Sequence, residues 1–224
     1  MSGIYFHIPF CKQACHYCNF HFSTSLKHKS AVLQAMKKEL RHFAERGWQG
    51  PINTLYFGGG TPSILSVSEI EAFITQAAQL FNLDPAAEIT LEANPDDLTA
   101  AKMQELAGSS VNRLSVGIQS FNAGELQWMN RAHTPTEALE SLEATARLFP
   151  NYSLDLIYGI PGSNMELWAD NLKQALQFNP PHISAYALTV EPRTALSSFI
   201  AKGRSADVDE GEAQEQFEHL VQTL

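Results

Sequence analysis

The chain has 224 residues, of which 44% are apolar, and its 24 acidic and 15 basic residues give a formal net charge of −9. This size and apolar fraction predict one large domain or two small ones with a sizeable buried core. The negative charge argues against nucleic acid or an anionic membrane surface as a partner. No apolar run approaches the roughly 20 residues that a membrane-spanning helix needs.

Short apolar runs rich in β-forming residues alternate along the chain with longer stretches that have apolar residues at helical spacing. The short runs predict six strands, and the longer stretches predict five helices between them. In chain order the predicted elements are strand Gly3–Ile8, helix Leu26–Arg46, strand Ile52–Phe57, helix Ser66–Leu80, strand Glu88–Glu92, helix Thr99–Ala107, strand Val111–Gly117, helix Thr136–Phe149, strand Leu154–Tyr158, helix Met165–Phe178 and strand His182–Leu188.

The alternation of strand and helix is typical of a parallel sheet that is covered by helices, and it predicts the α/β class. Several predicted strands are nearly continuous apolar runs, as expected for strands that are buried on both faces. A complete (β/α)8 barrel takes about 250 residues, which is more than this chain has. Six units therefore predict a partial (β/α)6 barrel that resembles part of a TIM barrel.

The last stretch, Gly203–Leu224, differs in composition, with six acidic residues and one basic residue. Phe217, Leu220, Val221 and Leu224 form an apolar stripe at helical spacing. We therefore expect a core domain at residues 1–200, with a cysteine-bearing loop at 9–21, and an acidic helical tail at 201–224. Because the stripe stops without a helix cap, we expect the tail to begin a C-terminal region that this chain lacks. A terminal helix docked on the barrel would explain the same pattern.

All three cysteines, Cys11, Cys15 and Cys18, lie in one stretch of eight residues. An odd number packed this tightly does not indicate a disulfide framework, but a reducing compartment and ligand or redox chemistry. We therefore expect a cytoplasmic protein. The cysteine loop follows the first predicted strand at its carboxyl end, which is where parallel α/β folds build their sites.

Three interpretations of the Cys-x3-Cys-x2-Cys spacing remain open at this point. The three thiols and a nearby histidine, His16 or His21, make a legitimate set of zinc ligands. The cysteines are alternatively three small buried residues that are close by coincidence. In the third interpretation they ligate a [4Fe-4S] cluster, in which three protein ligands leave one iron free to bind a small molecule.

The sequence YFHIPFCKQACHYCNF at Tyr5–Phe20 resembles the radical S-adenosylmethionine (SAM) superfamily, whose hallmark is Cys-x3-Cys-x-aromatic-Cys. The longer pattern Tyr-x-His-x-Pro-Phe-Cys is similar to the branch that contains oxygen-independent coproporphyrinogen III dehydrogenases (also called oxidases) and heme chaperones. Four further motifs are similar to the same branch and occur in the same order. They are GGGTPS at Gly58–Ser63, LEANP at Leu91–Pro95, SVGIQSF at Ser115–Phe121 and DLIYGIPG at Asp155–Gly162.

The resemblance implies that Cys11, Cys15 and Cys18 hold a [4Fe-4S] cluster and that SAM chelates its open iron. An electron from the cluster then cleaves SAM to a 5′-deoxyadenosyl radical, so the difficult chemistry belongs to the cofactors. The resemblance assigns no residue of the chain as catalytic. It implies SAM contacts at ten positions, which are Tyr5, Tyr17, Gly59, Gly60, Thr61, Glu92, Gln119, Arg131, Asp155 and Ala187.

The implied contacts differ in chemistry. The glycines let the methionine part of SAM approach the backbone, and Ala187 offers a backbone contact to the adenine. Glu92 suits a ribose hydroxyl or an ammonium group, and Arg131 suits the SAM carboxylate. A tight turn, a solvated charge or core packing would explain the same residue types without a ligand.

One position distinguishes two members of the branch. The dehydrogenases have a further cysteine two residues after the third cluster cysteine, and this chain has Phe20 there. Cys-Asn-Phe is similar to the heme chaperones, which implies heme as cargo, haemoprotein clients and an electron donor as partners. The resemblance leaves SAM cleavage open and argues against coproporphyrinogen III dehydrogenation, which stays the alternative function. A structural zinc-binding protein is the third.

Overall fold

The computed structural model describes residues 2–224, so Met1 of the predicted core domain lies outside the described residues. The strands are β1 Gly3–Ile8, β2 Ile52–Gly59, β3 Leu83–Ala93, β4 Arg113–Gln119, β5 Tyr152–Tyr158 and β6 His182–Ala187. The helices are α1 Lys29–Glu45, α2 Val67–Leu80, α3 Ala100–Ala107, α4 Ala123–Trp128, α5 Pro135–Leu148, α6 Met165–Leu176, α7 Ala195–Ala201 and α8 Glu210–Thr223. Short 3-10 turns at Pro62–Ile64 and Pro95–Asp97 follow β2 and β3.

The six strands form one sheet in the order of the sequence, and every neighbouring pair is parallel. Within the described residues, β1 and β6 are the two edges of this open sheet. Because each crossover returns the chain in the same direction, the carboxyl ends of all six strands lie along one edge. The predicted α/β class and partial (β/α)6 barrel are confirmed.

The core lies between the sheet and its helices. Leu55 and Phe57 of β2 are fully buried, and Phe73 of α2 packs against Phe57 with ring centroids 6.3 Å apart. Helix α2 begins where predicted because Ser66 and Glu69 cap it reciprocally, each side chain accepting a hydrogen bond from the other's backbone N–H. Such a cap stabilises a helix by about 1 kcal/mol.

Four predicted elements begin two or more residues away from their starts in the structure. Strand β4 begins at Arg113 rather than Val111, and β5 begins at Tyr152 rather than Leu154. The two largest differences are at β3 and α1. Strand β3 starts at Leu83 rather than Glu88, because Leu83 pairs with Ile52 across an irregularity in the ladder. The intervening Asp-Pro pair is typical of a turn, so the sequence pattern does not indicate the extension. Helix α1 starts at Lys29 rather than Leu26, since Leu26 accepts a hydrogen bond from Lys29 N in a turn that precedes the helix.

Two short helices, α4 and α7, are missing from the sequence prediction. They have six and seven residues, which is too short for a helical repeat to be recognised. Each begins at a side-chain cap, since Asn122 accepts a hydrogen bond from Glu125 N and Thr194 accepts one from Ser197 N. Both helices lie against the cysteine loop, as described below.

The acidic tail forms helix α8, which docks on the barrel. Trp168 Nε1 donates to the backbone oxygen of Gln216 at 2.8 Å, and Gly159 N donates to Gln216 Oε1 at 2.7 Å. Leu220 is buried, whereas Phe217 of the predicted stripe is 49% exposed. A further region after Leu224 stays a prediction.

None of the helices in residues 2–224 has both the length and the apolar character needed to cross a bilayer.

Candidate cofactor site

The predicted site residues lie mostly at the carboxyl edge of the sheet. Gly60 and Thr61 directly follow β2, Glu92 is the penultimate residue of β3, and Gln119 ends β4. Asp155 lies in the middle of β5. The loop at 9–21 directly follows β1, so it starts at the same edge.

The cysteine loop is joined to the glycine loop after β2. Gly60 N donates to Ile8 O at 2.9 Å, and Thr61 N donates to Phe10 O at 2.7 Å. A Cβ atom at Gly60 would lie 2.8 Å from Phe10 O and 3.0 Å from Cys11 Sγ. Glycine is therefore required here by the close approach of the cysteine loop.

The three cysteines are free and half-buried. The backbone around Cys11 is also fixed by Ser23. Cys11 N donates to Ser23 O at 3.1 Å, and Ser23 N donates to Pro9 O at 2.9 Å. Cys15 and Cys18 share a tight turn in which Cys18 N donates to Cys15 O. Burial raises the pKa of the Cys11 and Cys18 thiols in the protein without a bound metal.

Helices α4 and α7 hold the middle of the cysteine loop through His16. His16 N donates to Met129 O at 3.1 Å, and His16 Nδ1 donates to Trp128 O at 2.8 Å. Leu196 N, in the first turn of α7, donates to His16 O at 2.8 Å. His16 therefore positions the loop, and its Nδ1 is engaged by a carbonyl.

Asn130 is a second anchor that the sequence pattern does not reveal. Its amide accepts a hydrogen bond from Gln13 Nε2 at 2.7 Å and donates one to Ala14 O at 2.7 Å. Its φ of 58° is in the left-handed region, which asparagine tolerates better than most residues. The turn after α4 therefore contacts the cysteine loop at two successive residues, Gln13 and Ala14.

Arg131 lies beside the loop and is half-buried. Its Nη1 contacts Cys15 Sγ at 3.4 Å, and its Nη2 donates to Asn94 Oδ1 at 2.8 Å and to Gly117 O at 2.9 Å. Arg131 Nε is buried and has no hydrogen-bond partner among residues 2–224. Tyr17 is a close neighbour, and burial raises the pKa of its phenol.

Glu92 is held by two donors at the mouth of the barrel. Tyr56 donates its hydroxyl to Glu92 Oε1 at 2.8 Å, and Gly59 N donates to Glu92 Oε2 at 3.1 Å. Burial raises the pKa of the carboxyl, while both hydrogen bonds act in the opposite direction. Tyr5 lies close enough for Glu92 to raise the pKa of its hydroxyl, an effect that adds to burial.

Asp155 faces the same interior as Glu92. Burial raises its pKa from 3.8 to about 6, the Ser184 hydroxyl opposes this rise, and the charge of Glu92 adds to it. Gln119 has a φ of 67° at an irregularity between β4 and β5. Its amide fills the space beside Gly117, where a Cβ atom would lie 2.9 Å from Gln119 Nε2.

The predicted residues thus form neighbouring groups. Cys11 lies with Gly60 and Thr61, Cys15 with Tyr17 and Arg131, and Glu92 with Tyr5 and Gly59. Ala187 is elsewhere, since it ends the edge strand β6 and lines a groove of about 630 Å³ beside α8.

The three cysteines share one loop but are not gathered around a common point, whether for zinc or for a cluster. Among residues 2–224, no three side chains of His, Cys, Asp and Glu come together as they would around a single metal ion. Sequence reasoning missed Tyr56, Asn94, Gly117 and Asn130 as parts of the site. Asn94 and Gly117 lie inside motifs that the sequence displays, whereas Tyr56 and Asn130 have no comparable signal.

The profile described as the radical SAM superfamily matches residues 5–175. The chain belongs to the radical SAM superfamily. Radical SAM proteins use a [4Fe-4S] cluster and SAM, so membership implies both as cofactors, and the resemblance found in the motifs is confirmed.

Curated radical SAM relatives cover nearly all of this chain. The heme chaperone HemW of Lactococcus lactis is 33% identical over 225 residues, which is 100% of this chain and 58% of that protein. HemW of Escherichia coli is 35% identical over 200 residues, 88% of this chain and 53% of that protein. The mitochondrial radical SAM domain-containing protein 1 of Mus musculus is 32% identical over 97% of this chain and 50% of that protein. The chain spans about half the length of the curated relatives that it matches.

A solved radical SAM structure is similar over the whole fold. Coproporphyrinogen III oxidase (HemN) of Escherichia coli superposes with a TM-score of 0.85 at 27% identity, covering 99% of this chain and 52% of that protein. This likeness supports the description of the open six-stranded sheet as a partial barrel.

Proposed function

We propose that this chain holds a [4Fe-4S] cluster on Cys11, Cys15 and Cys18 and binds SAM at the adjoining strand ends. Three features of the residues fit these groups. Three thiols share one anchored loop, and three cysteines are the ligand set that leaves one iron open. Gly60 leaves space beside Cys11 Sγ. The buried and unpaired Arg131 Nε suits a ligand carboxylate.

When bound, the cluster would supply an open iron and an electron. The chain's own residues would hold and orient the ligand. Arg131 Nη1 contacts Cys15 Sγ, so it would hold this cysteine in place beside the bound ligand. Glu92 offers carboxylate oxygens to hydroxyl or ammonium donors. The remaining predicted contacts, Tyr5, Tyr17, Gly59, Thr61, Gln119, Asp155 and Ala187, belong to the same proposal.

The protein would act as a heme chaperone that binds heme and delivers it to haemoproteins. The observation that carries this proposal is the similarity to HemW proteins over nearly the whole chain. Phe20 supports it, because the residue that stands in place of the dehydrogenases' extra cysteine is an aromatic side chain, 67% exposed. The proposed partners are heme, haemoprotein clients and an electron donor.

The proposed domain organisation is a core at residues 1–200, with the cluster loop at 9–21, and the acidic tail at 201–224. We also propose a cytoplasmic location, which suits three free thiols. Nucleic acid is not a proposed partner, because the chain carries a net charge of −9.

Coproporphyrinogen III dehydrogenation is the second candidate function, favoured by the structural likeness to HemN. A pair of anaerobic assays on the cluster-loaded protein separates the two candidates. In one, the protein is titrated with heme and then mixed with an apo-haemoprotein. In the other, it is incubated with coproporphyrinogen III, SAM and a reductant.

The chaperone proposal expects saturable heme binding, transfer of heme to the apo-haemoprotein and no protoporphyrinogen. Formation of protoporphyrinogen by the wild-type protein would favour the dehydrogenase instead. Phe20→Cys tests whether the extra thiol alone enables the protein to convert coproporphyrinogen III. Phe20→Ser is its matched control. Absence of heme binding by the wild-type protein would refute the chaperone proposal.

A further inference from the structure

Tyr56 lies outside the residues that the sequence motifs assign, and its hydroxyl enters the site. It projects from β2 and donates a hydrogen bond of 2.8 Å to Glu92 Oε1. The second oxygen of the same carboxylate accepts from Gly59 N at 3.1 Å. Two donors from one strand thus fix both oxygens of Glu92, and each oxygen retains a lone pair for a further donor.

Packing around Gly58 fixes the Tyr56 ring. Tyr5 stacks on Tyr56 with ring centroids 5.9 Å apart and an interplanar angle of 24°. A Cβ atom at Gly58 would lie 2.9 Å from an edge carbon of each ring and 3.0 Å from Glu92 Oε1. The absence of a side chain at Gly58 therefore lets Tyr5, Tyr56 and Glu92 meet at one point.

We propose that Tyr56 is a positioning residue that aims the Glu92 carboxylate at a hydroxyl-bearing ligand, the ribose of SAM. The proposal rests on the SAM site described above. Without the Tyr56 hydroxyl, only Gly59 N would restrain the carboxylate, whose side chain could then rotate away. Because a carboxylate accepts hydrogen bonds at both oxygens, its plane must be fixed to meet two neighbouring ribose hydroxyls.

The charge of Glu92 depends on the same contact. The titratable groups that face it are Tyr5 and His7 of β1, Tyr56 of β2 and Asp155 of β5. A donated hydrogen bond favours the ionised carboxylate, so removing it raises the pKa of Glu92. The effect of losing Tyr56 on ligand binding should therefore grow as the pH falls.

Equilibrium dialysis of SAM against the cluster-loaded protein, over a pH series on both sides of neutrality, tests the proposal. Tyr56→Phe should weaken SAM binding about tenfold near neutral pH, as for a lost hydrogen bond to a charged group, and more at lower pH. In the Glu92→Gln background, Tyr56→Phe should cause a much smaller loss. Tyr152→Phe is the matched control, because its hydroxyl donates to Phe178 O at the opposite end of the sheet.

A second readout needs neither cluster nor SAM. Carbon-13 NMR of the Glu92 carboxyl in the metal-free protein should report a higher pKa in Tyr56→Phe than in wild type, and no change in Tyr152→Phe. SAM binding and a Glu92 pKa that are both unchanged in Tyr56→Phe would overturn the inference and leave the proposed function standing. Failure of the loaded wild-type protein to bind SAM would instead refute the proposed function.

Discussion

Substitution of Gly60 by alanine tests whether the contact between the glycine loop and the cysteine loop is needed for cluster binding. The added Cβ atom would lie 2.8 Å from Phe10 O, 3.0 Å from Ile8 O and 3.0 Å from Cys11 Sγ. Two of these atoms are backbone carbonyls that already accept hydrogen bonds from Gly60 N and Thr61 N. They cannot move away without loss of those bonds.

The expected cost follows from these contacts. Overpacking of this kind costs about 1–3 kcal/mol, and each lost hydrogen bond adds about 1 kcal/mol. With one of the two hydrogen bonds lost, Gly60→Ala should therefore lower the free energy of unfolding by about 2–4 kcal/mol. Gly108→Ala is the matched control, because its φ is −92° and its nearest neighbour would be 3.7 Å away. It should change stability by less than about 1 kcal/mol.

Two measurements check this prediction. Urea unfolding of the metal-free proteins gives the stability difference, and iron and sulfide content after anaerobic reconstitution gives cluster occupancy. Gly60→Ala should take up much less iron than either wild type or Gly108→Ala. If Gly60→Ala matched Gly108→Ala in both stability and iron content, the reasoning from the close approach would be refuted.

Three further substitutions test other parts of the structure, each by urea unfolding of the metal-free protein. Asn130→Ala removes the hydrogen bonds to Gln13 and Ala14 and should cost about 2 kcal/mol; an unchanged stability would contradict the role of Asn130 as an anchor. Because burial raises the pKa of Asp155 from 3.8 to about 6, the folded state binds this proton more tightly than the unfolded state. The free energy of unfolding should therefore fall as the pH rises from 3.8 to about 6. In Asp155→Asn the contribution of this carboxyl to the fall should be absent. Identical pH profiles of stability for wild type and Asp155→Asn would contradict the prediction. Thr134→Ala removes the cap of α5 and should cost about 1 kcal/mol, with no effect on iron uptake.

The sequence predicts the architecture well where the pattern of apolar residues extends over a long segment or where a motif is specific. Strand β1 has the predicted bounds Gly3–Ile8, because an apolar run ends at Pro9, which limits its continuation. The positions of the cysteine loop and the glycine loop follow from their motifs and from the common carboxyl edge of parallel strands.

The parts that were missed depend on contacts between distant residues. Arg131 and Cys15 were both assigned to the site, but they are 116 residues apart, and no local spacing indicates that their side chains touch. Helices α4 and α7 are too short to show a helical repeat, yet both hold the cysteine loop through His16. Tyr56 lies between the buried residues Leu55 and Phe57 of β2, where a tyrosine is equally consistent with core packing.

Electron paramagnetic resonance of the anaerobically reconstituted and reduced protein, recorded before and after addition of SAM, tests the central claim most directly. The account predicts about four irons per chain and a cluster signal that changes when SAM is added. The signal should be absent when Cys11, Cys15 and Cys18 are all replaced by alanine. One zinc per chain with no iron after anaerobic purification, or a cluster signal indifferent to SAM, would contradict it.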